Sequence, residues 1–251
     1  MSNPTADLTG KVIVVAGASG PAGQAVLRRI AAGGAVVIAA DIDQQRLDAA
    51  VDQVRAAVPD ATVHAQVIDL LDLEQVKDWA DRLEAEHGHV DGLFHLVGGW
   101  RGSKTFTDTK LEDWDFLHNT VLRTLQHTSL AFQPALLRST DGRYAMIGAA
   151  AAHKPTQGGA AYTAAKAASE AWTLAMAHSF TKQTTDPDGT PTAAAVILVI
   201  KALLTPEMRA EKPEAKFTGF TETADLADHL ADLWSRPAAE LNGQHLWLTA
   251  Q

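Results

Sequence analysis

The chain has 251 residues, of which 46% are hydrophobic, with a formal net charge of −9 and no cysteine. Disulfides, thiolate nucleophiles and cysteine-based zinc sites are therefore excluded. No basic run exceeds two residues, so the clustered Lys and Arg that a nucleic-acid backbone requires are missing.

The opening segment, MSNPTADLTG, is polar and lacks the basic region and apolar core of a secretory signal. The first predicted strand, KVIVVAG (11–17), follows it directly. It runs into VVAGASGPAG, where Gly17, Gly20 and Gly23 stand in G-x-x-G-x-x-G order before a helical pattern, GQAVLRRIAAGG. Glycine is required where such a turn is tight and where backbone must approach a pyrophosphate. The helix N-terminus then offers free N–H groups to that anion. Gly17, Ser19, Gly20, Pro21, Ala22 and Gly23 are thus candidate dinucleotide-binding residues.

The second strand, AVVIAAD (35–41), ends in Asp41, with Ile42 beside it. An acid here accepts hydrogen bonds from a ribose 2′-hydroxyl and repels a 2′-phosphate. No Lys or Arg lies in AADIDQQ, and Arg46 is the nearest cation. Asp41 also reads as the N-cap of a helix over 43–58, a role open to Asp43 as well. Together the glycine loop and this acid favour NAD(H) over NADP(H).

Further β-branched runs follow at TVHAQVI (62–68), GLFHLVG (92–98), RYAMIGA (143–149), AAVILVI (194–200) and QHLWLT (244–249), separated by helical patterns. Strands this apolar belong to parallel sheets covered on both faces. The expected fold is α/β, a doubly wound parallel sheet of seven strands (Rossmann fold), with 1–251 a single domain. TKQTTDPDGTPT (181–192) reads as an exposed loop, and 205–222 as a segment placed to cover a substrate. The longest apolar stretch, at 193–200, is too short to span a bilayer, so a cytoplasmic protein with no membrane partner is expected.

YTAAK opens a helix after the fifth strand and sets Tyr162 and Lys166 at i and i+4, on one helix face. A phenol of pKa about 10 is a poor base at neutral pH, and a nearby ammonium lowers that value.

In its strand count, length, glycine loop and Tyr162/Lys166 register, the chain resembles the short-chain dehydrogenase/reductase family over essentially its whole length. The resemblance implies hydride transfer between a nicotinamide dinucleotide and a small carbonyl or alcohol substrate. In that reading Tyr162 handles the proton, while Lys166 tunes it and holds the nicotinamide ribose. Asp69 and Leu70 end the third strand, where the family contacts adenine. Val97 and Gly98 end the fourth, and Thr205 matches the threonine that holds the carboxamide. A homodimer or homotetramer is implied as well, through the helices around 124–137 and 172–180.

The departures matter equally. The glycine spacing is that of the family's extended members, FHLVGG is similar to their His-Leu-Ala-Ala, and Ile200-Lys201 replaces a Pro-Gly. Position 149, which holds the substrate-binding serine in the family, is alanine, as are 150–152. The asparagine that anchors a proton-relay water corresponds to Val121. Asn119 lies two residues away, a rotation of about 200° on an α-helix. His153 is the candidate substitute donor or proton shuttle, against the plainer reading of a solvated loop histidine. His95 reads as a hydrogen-bonded core residue. Trp100 and Arg101 are candidates for the cleft rim, Arg101 with an anionic substrate. No H-x-x-x-H or H-E-x-x-H pair appears, so no metal is expected. Three readings remain open: an NAD-dependent oxidoreductase, a dinucleotide-binding protein without turnover, and a non-redox enzyme using Tyr162.

Overall fold

The computed structural model describes residues 6–183 and 186–249. The first five residues of the polar N-terminal segment, Thr184 and Thr185 of the 181–192 loop, and the last two residues lie outside that range. The chain alternates strand and helix: β1 (Val12–Ala16), α1 (Pro21–Ala32), β2 (Val36–Asp41), α2 (Gln44–Ala57), β3 (Val63–Val67), α3 (Leu73–His87) and β4 (Gly92–His95). There follow α4 (Leu111–Leu117), α5 (Thr124–Arg138), β5 (Gly142–Ala149), α6 (Ala150–His153), α7 (Ala160–Gln183) and β6 (Ala193–Ile200). The last third adds β7 (Leu203–Leu204), α8 (Pro206–Glu211), β8 (Thr221–Glu222), α9 (Thr223–Ala231) and β9 (His245–Trp247).

All seven expected strands form one parallel sheet in the order β3-β2-β1-β4-β5-β6-β9. The strand order reverses between β1 and β4, which is where a doubly wound sheet opens its crevice. Burial follows the period of two that a strand imposes. In β1, Ile13 and Val15 join the core under α1, α2 and α9, while Val12 and Val14 join the core under α3, α5 and α7. Both faces are covered, so the strands carry little polar alternation. One element was unforeseen: the two-residue strands β7 and β8 pair with each other, parallel. They are too short to leave a periodic signature in the sequence.

Helix ends follow local chemistry. Asp43 accepts a hydrogen bond from the Arg46 N–H, and Asp72 from that of Gln75, so these two acids cap α2 and α3. Between the two open N-cap readings at the second strand, Asp43 is the cap and Asp41 is released for another role. By contrast α1 starts after Gly20 with Pro21 in its first turn and no side-chain cap. Among the described residues no helix is long and apolar enough to cross a membrane.

Candidate active site

The crevice is a cavity of about 650 Å³, within the roughly 300–1,000 Å³ range of small-molecule sites. Its lining includes Gly20–Gly23, Leu96–Trp100, Ile147, Thr156, Tyr162, Lys166 and Lys201–Leu203. The glycine loop, the end of the fourth strand and the YTAAK helix thus meet in one space.

Each loop glycine has its own reason. Gly17 has φ +83°, a left-handed conformation that a side chain disfavours. A Cβ on Gly23 would stand 2.3 Å from the Gly17 carbonyl oxygen, so this glycine lets α1 pack against its own entry turn. A Cβ on Gly20 would meet nothing closer than 3.5 Å, leaving a smooth floor for a ligand. The uncapped N-terminus of α1 adds the partial positive charge and free N–H groups of a helix start. Floor, uncapped helix and volume fit a dinucleotide's pyrophosphate.

Asp41 Oδ2 accepts hydrogen bonds from the Ser19 N–H (3.0 Å) and Ser19 Oγ (2.6 Å), while Oδ1 accepts from the Ile42 N–H (2.9 Å). Its carboxylate is thereby fixed against the glycine loop. Ile42 is largely exposed. Arg46 reaches back to the Ser19 carbonyl at 3.4 Å, a cation close to the place the sequence reserves for an acid. Val97 and Gly98 line the cavity; Asp69, Leu70 and Thr205 do not. Asp69 is exposed, Leu70 is buried with its carbonyl 3.0 Å from His127 Nδ1, and Thr205 caps α8 by accepting from the Met208 N–H.

Tyr162 and Lys166 both face the cavity, one turn apart on α7. Lys166 is buried and donates to the Ile147 carbonyl (2.8 Å), and burial pulls its pKa down to about 8. Tyr162 does not follow the expectation of a lowered pKa. Burial first, and Glu170 second, push it up to about 12. The Lys166 ammonium lies 6.0 Å from the centre of the phenol ring and gives one of its three N–H groups to a backbone carbonyl. A phenol held protonated in this way can give a proton more readily than take one.

Around this pair the walls are apolar where the sequence says they should be. Val121 is buried in a π-helical stretch, His118–Arg123, and with Leu117 and Ala165 forms a small cluster against Tyr162. Its carbonyl accepts from Ser169 Oγ (3.3 Å), while Asn119 is exposed. Ala149 is buried at the end of β5, on the same strand face as the lining residue Ile147.

His153 is not brought to the cavity. Its Nε2 lies 2.8 Å from Glu170 Oε2, behind the lining residues. Eight residues of loop and helix start separate it from Tyr162, and its ring packs on His245 and Trp247 of the edge strand. The hydroxyls that do line the cavity are Ser103 and Thr156. Thr156 was not predicted because the family's serine corresponds to position 149 and no Ser or Thr lies between 141 and 155. Ser103 reaches the site only because its N–H donates to the Gly158 carbonyl (2.9 Å), tying the loop after β4 to the loop before α7. Trp100 lines the cavity and is 66% exposed, as a rim residue should be. Arg101 stacks on Phe116 at 4.3 Å and faces Asp113, so it is engaged elsewhere. His95 is the core residue expected: buried, with Thr128 Oγ1 3.0 Å from its Nδ1, and kept neutral by burial, which takes its pKa to about 3.

Comparison with known proteins agrees with this architecture. A family model described as short chain dehydrogenase matches residues 11–185. Dehydrogenase/reductase SDR family member 6 of Rattus norvegicus is 31% identical over 177 residues, covering 70% of this chain and 67% of the relative. An uncharacterized oxidoreductase of Staphylococcus epidermidis is 28% identical over 171 residues, 66% of this chain and 70% of the relative. The NADPH-bound structure of a short chain oxidoreductase from Pseudomonas aeruginosa, described as containing an atypical catalytic center, superposes with a TM-score of 0.83. It is 25% identical and 96% of each chain is covered. The chain belongs to the short-chain dehydrogenase family of oxidoreductases.

Proposed function

We propose that the chain is an NAD(H)-dependent oxidoreductase that acts on a small carbonyl or alcohol through an active site rebuilt without the family serine and asparagine. The observation that carries this reading is the meeting of Tyr162, Lys166 and the Gly17–Gly23 loop around one cavity. When bound, the dinucleotide supplies or accepts the hydride. The chain's own residues do the rest. The start of α1 takes the pyrophosphate, and Lys166 holds ribose hydroxyls with the ammonium that its 2.8 Å bond to Ile147 orients. Tyr162, protonated in its buried setting, gives a proton to the substrate oxygen in the reducing direction. Thr156, a lining residue six positions before Tyr162, is our candidate to hold that oxygen. Trp100 and Leu96 give the substrate an apolar wall. Segment 205–222, which adjoins the lining residues Lys201–Leu203, is the candidate cover, with Lys201 Nζ donating to the Thr218 carbonyl (3.0 Å).

Asp41, fixed against the glycine loop, supports NAD(H); Arg46 and the NADPH-bound Pseudomonas aeruginosa relative argue for testing both dinucleotides. That relative is itself described as a short chain oxidoreductase with an atypical catalytic center, which supports the reading that an unusual site belongs within this family. Exposed Leu130 on α5 and Leu174 on α7 support a dimer or tetramer through these helices, in keeping with a cytoplasmic enzyme.

The decisive experiment is NADH oxidation over a panel of small carbonyls by the wild type and Tyr162→Phe. A loss of at least about 10³-fold in kcat, with NADH affinity within a few fold, is expected for a proton-transfer residue. Unchanged turnover in the variant sinks the reading. Buried Ala149 and Val121 favour a second reading, a dinucleotide-binding protein without turnover. Robust oxidation of NADH by any carbonyl in the panel excludes it.

A further inference from the structure

Helix α7 carries three ionisable groups at one-turn intervals, Tyr162, Lys166 and Glu170. The first two face the cavity. Glu170 is not among the lining residues, and its side chain is only 6% exposed. A buried carboxylate must be paired or hydrogen-bonded to be tolerated. One oxygen, Oε1, accepts from the Ala149 N–H at 3.1 Å. The other, Oε2, is approached by two imidazoles from two other elements: His153 Nε2 from the end of α6 at 2.8 Å, and His245 Nε2 from β9 at 3.4 Å.

A single imidazole N–H would satisfy this oxygen. Two ring nitrogens converging on it, from residues far apart in the chain, form a compact set of donor atoms, all within 4.8 Å of one another. A tetrahedral zinc ion with bonds of about 2.0–2.2 Å holds neighbouring ligand atoms about 3.3–3.5 Å apart, and places the centres of two bound imidazoles about 5 Å from each other. Here the His153 and His245 ring centres are 5.4 Å apart with planes at 85°, and Trp247 packs on His153 at 4.9 Å. The two histidine–carboxylate separations, 2.8 and 3.4 Å, bracket the spacing of such a shell, and side-chain rotations of the two imidazoles would complete it. The outer shell is also present, because the Ala149 N–H orients the carboxylate from behind. His153, 40% exposed, leaves the cluster reachable from solvent. Two histidines and a glutamate, with a fourth position left to water, are a donor set that zinc accepts.

We propose that His153 Nε2, Glu170 Oε2 and His245 Nε2 form a binding site for a divalent transition-metal ion of the zinc class. Because none of the three lines the cavity, the ion does not touch the substrate. It clasps α6 and the edge strand β9 to the helix that carries Tyr162 and Lys166, and so holds in place the segment that begins at Ala149. The site stands whether or not the chain turns over NADH. Local spacing concealed it: the three ligands come from separate elements, and only the parallel sheet brings β9 next to β6 and under α7.

The test uses the full chain, stripped with a chelator and titrated with Zn²⁺ alone, read by calorimetry and by thermal melting. One ion per chain is expected, with a rise in Tm that the chelator reverses. Titration with Co²⁺ alone should give the visible absorption of a tetrahedral cobalt centre. His153→Ala and His245→Ala remove partly exposed side chains and should each weaken Zn²⁺ binding at least 100-fold while leaving the metal-free Tm within a few degrees. Glu170→Gln tests the carboxylate. If His245→Ala does not fold, His153→Ala and the cobalt spectrum of the wild type still decide. The proposal is overturned if the wild type shows no stoichiometric binding, or if the His153→Ala variant binds Zn²⁺ as tightly as the wild type.

Discussion

The two halves of the crevice are built to different standards. The dinucleotide half is specified in detail: a positive-φ glycine, a glycine whose added Cβ would stand 2.3 Å from backbone, an uncapped helix and an acid held by two hydrogen bonds from Ser19. The substrate half keeps Tyr162 and Lys166 but surrounds them with Val121, Leu117 and Ala165, and puts a methyl group at 149. The lesson lies in what each half must recognise. A pyrophosphate is bound by backbone and dipole, which tolerate little change. A substrate oxygen needs only one or two donors, and these can come from a different loop; Thr156, which lines the cavity, is the one we propose.

Four substitutions break or sharpen this contrast. The largest effect belongs to Gly23→Val, whose side chain would drive the glycine loop off the start of α1. Loss of NADH affinity by more than about 100-fold, or a collapse in Tm, is expected in a fluorescence titration and a melt. Binding within threefold of the wild type would contradict the account of this half. Next comes Ala149→Ser, which returns a hydroxyl to the face that Ile147 shares. A positioned donor contributes about 10²–10³ in rate, so a rise of about tenfold or more in kcat is expected; no change would mean that Thr156 already fills the role. Asp41→Ala should shift the NADH-to-NADPH preference by about tenfold, equivalent to about 1.4 kcal/mol. It is read as the ratio of kcat/KM values, and an unaltered ratio would remove Asp41 from cofactor choice.

The smallest effect is on stability. Folded Lys166 has a pKa of about 8 against an unfolded value of 10.5, chiefly because it is buried. Between those values the unfolded chain binds more protons than the native one, so stability rises with pH across that window. Below about 8 the buried ammonium opposes folding by an amount of order 3 kcal/mol. Lys166→Met should therefore raise Tm by a few degrees at pH 7, and the gain should vanish near pH 10. A variant less stable than the wild type at pH 7 would show that the ammonium is better compensated than its burial implies.

Much of the molecule was legible before any coordinates. Apolar runs of five to eight residues separated by helical patterns imply a doubly wound sheet, because both faces must be covered. All seven strands appear within one or two residues of their expected bounds, except β4, which stops at His95. There the chain leaves the sheet to line the cavity, and the half-buried Leu96 and Val97 are as apolar as a strand. The glycine loop and the Tyr162/Lys166 pair were readable because each depends on spacing within one local segment.

What spacing could not show was any property of groups that meet from different segments. The raised pKa of Tyr162 follows from burial and from Glu170, the paired state of His153 from the meeting of α6 with α7, and the place of Thr156 from a loop zipped to another by Ser103. Sequence alone determined the fold and the glycine turn that opens the crevice, since hydrophobic period and turn chemistry act over a few residues. Only the tertiary structure decided which side chains share a space, because desolvation and hydrogen bonding depend on neighbours that the order of the chain does not name.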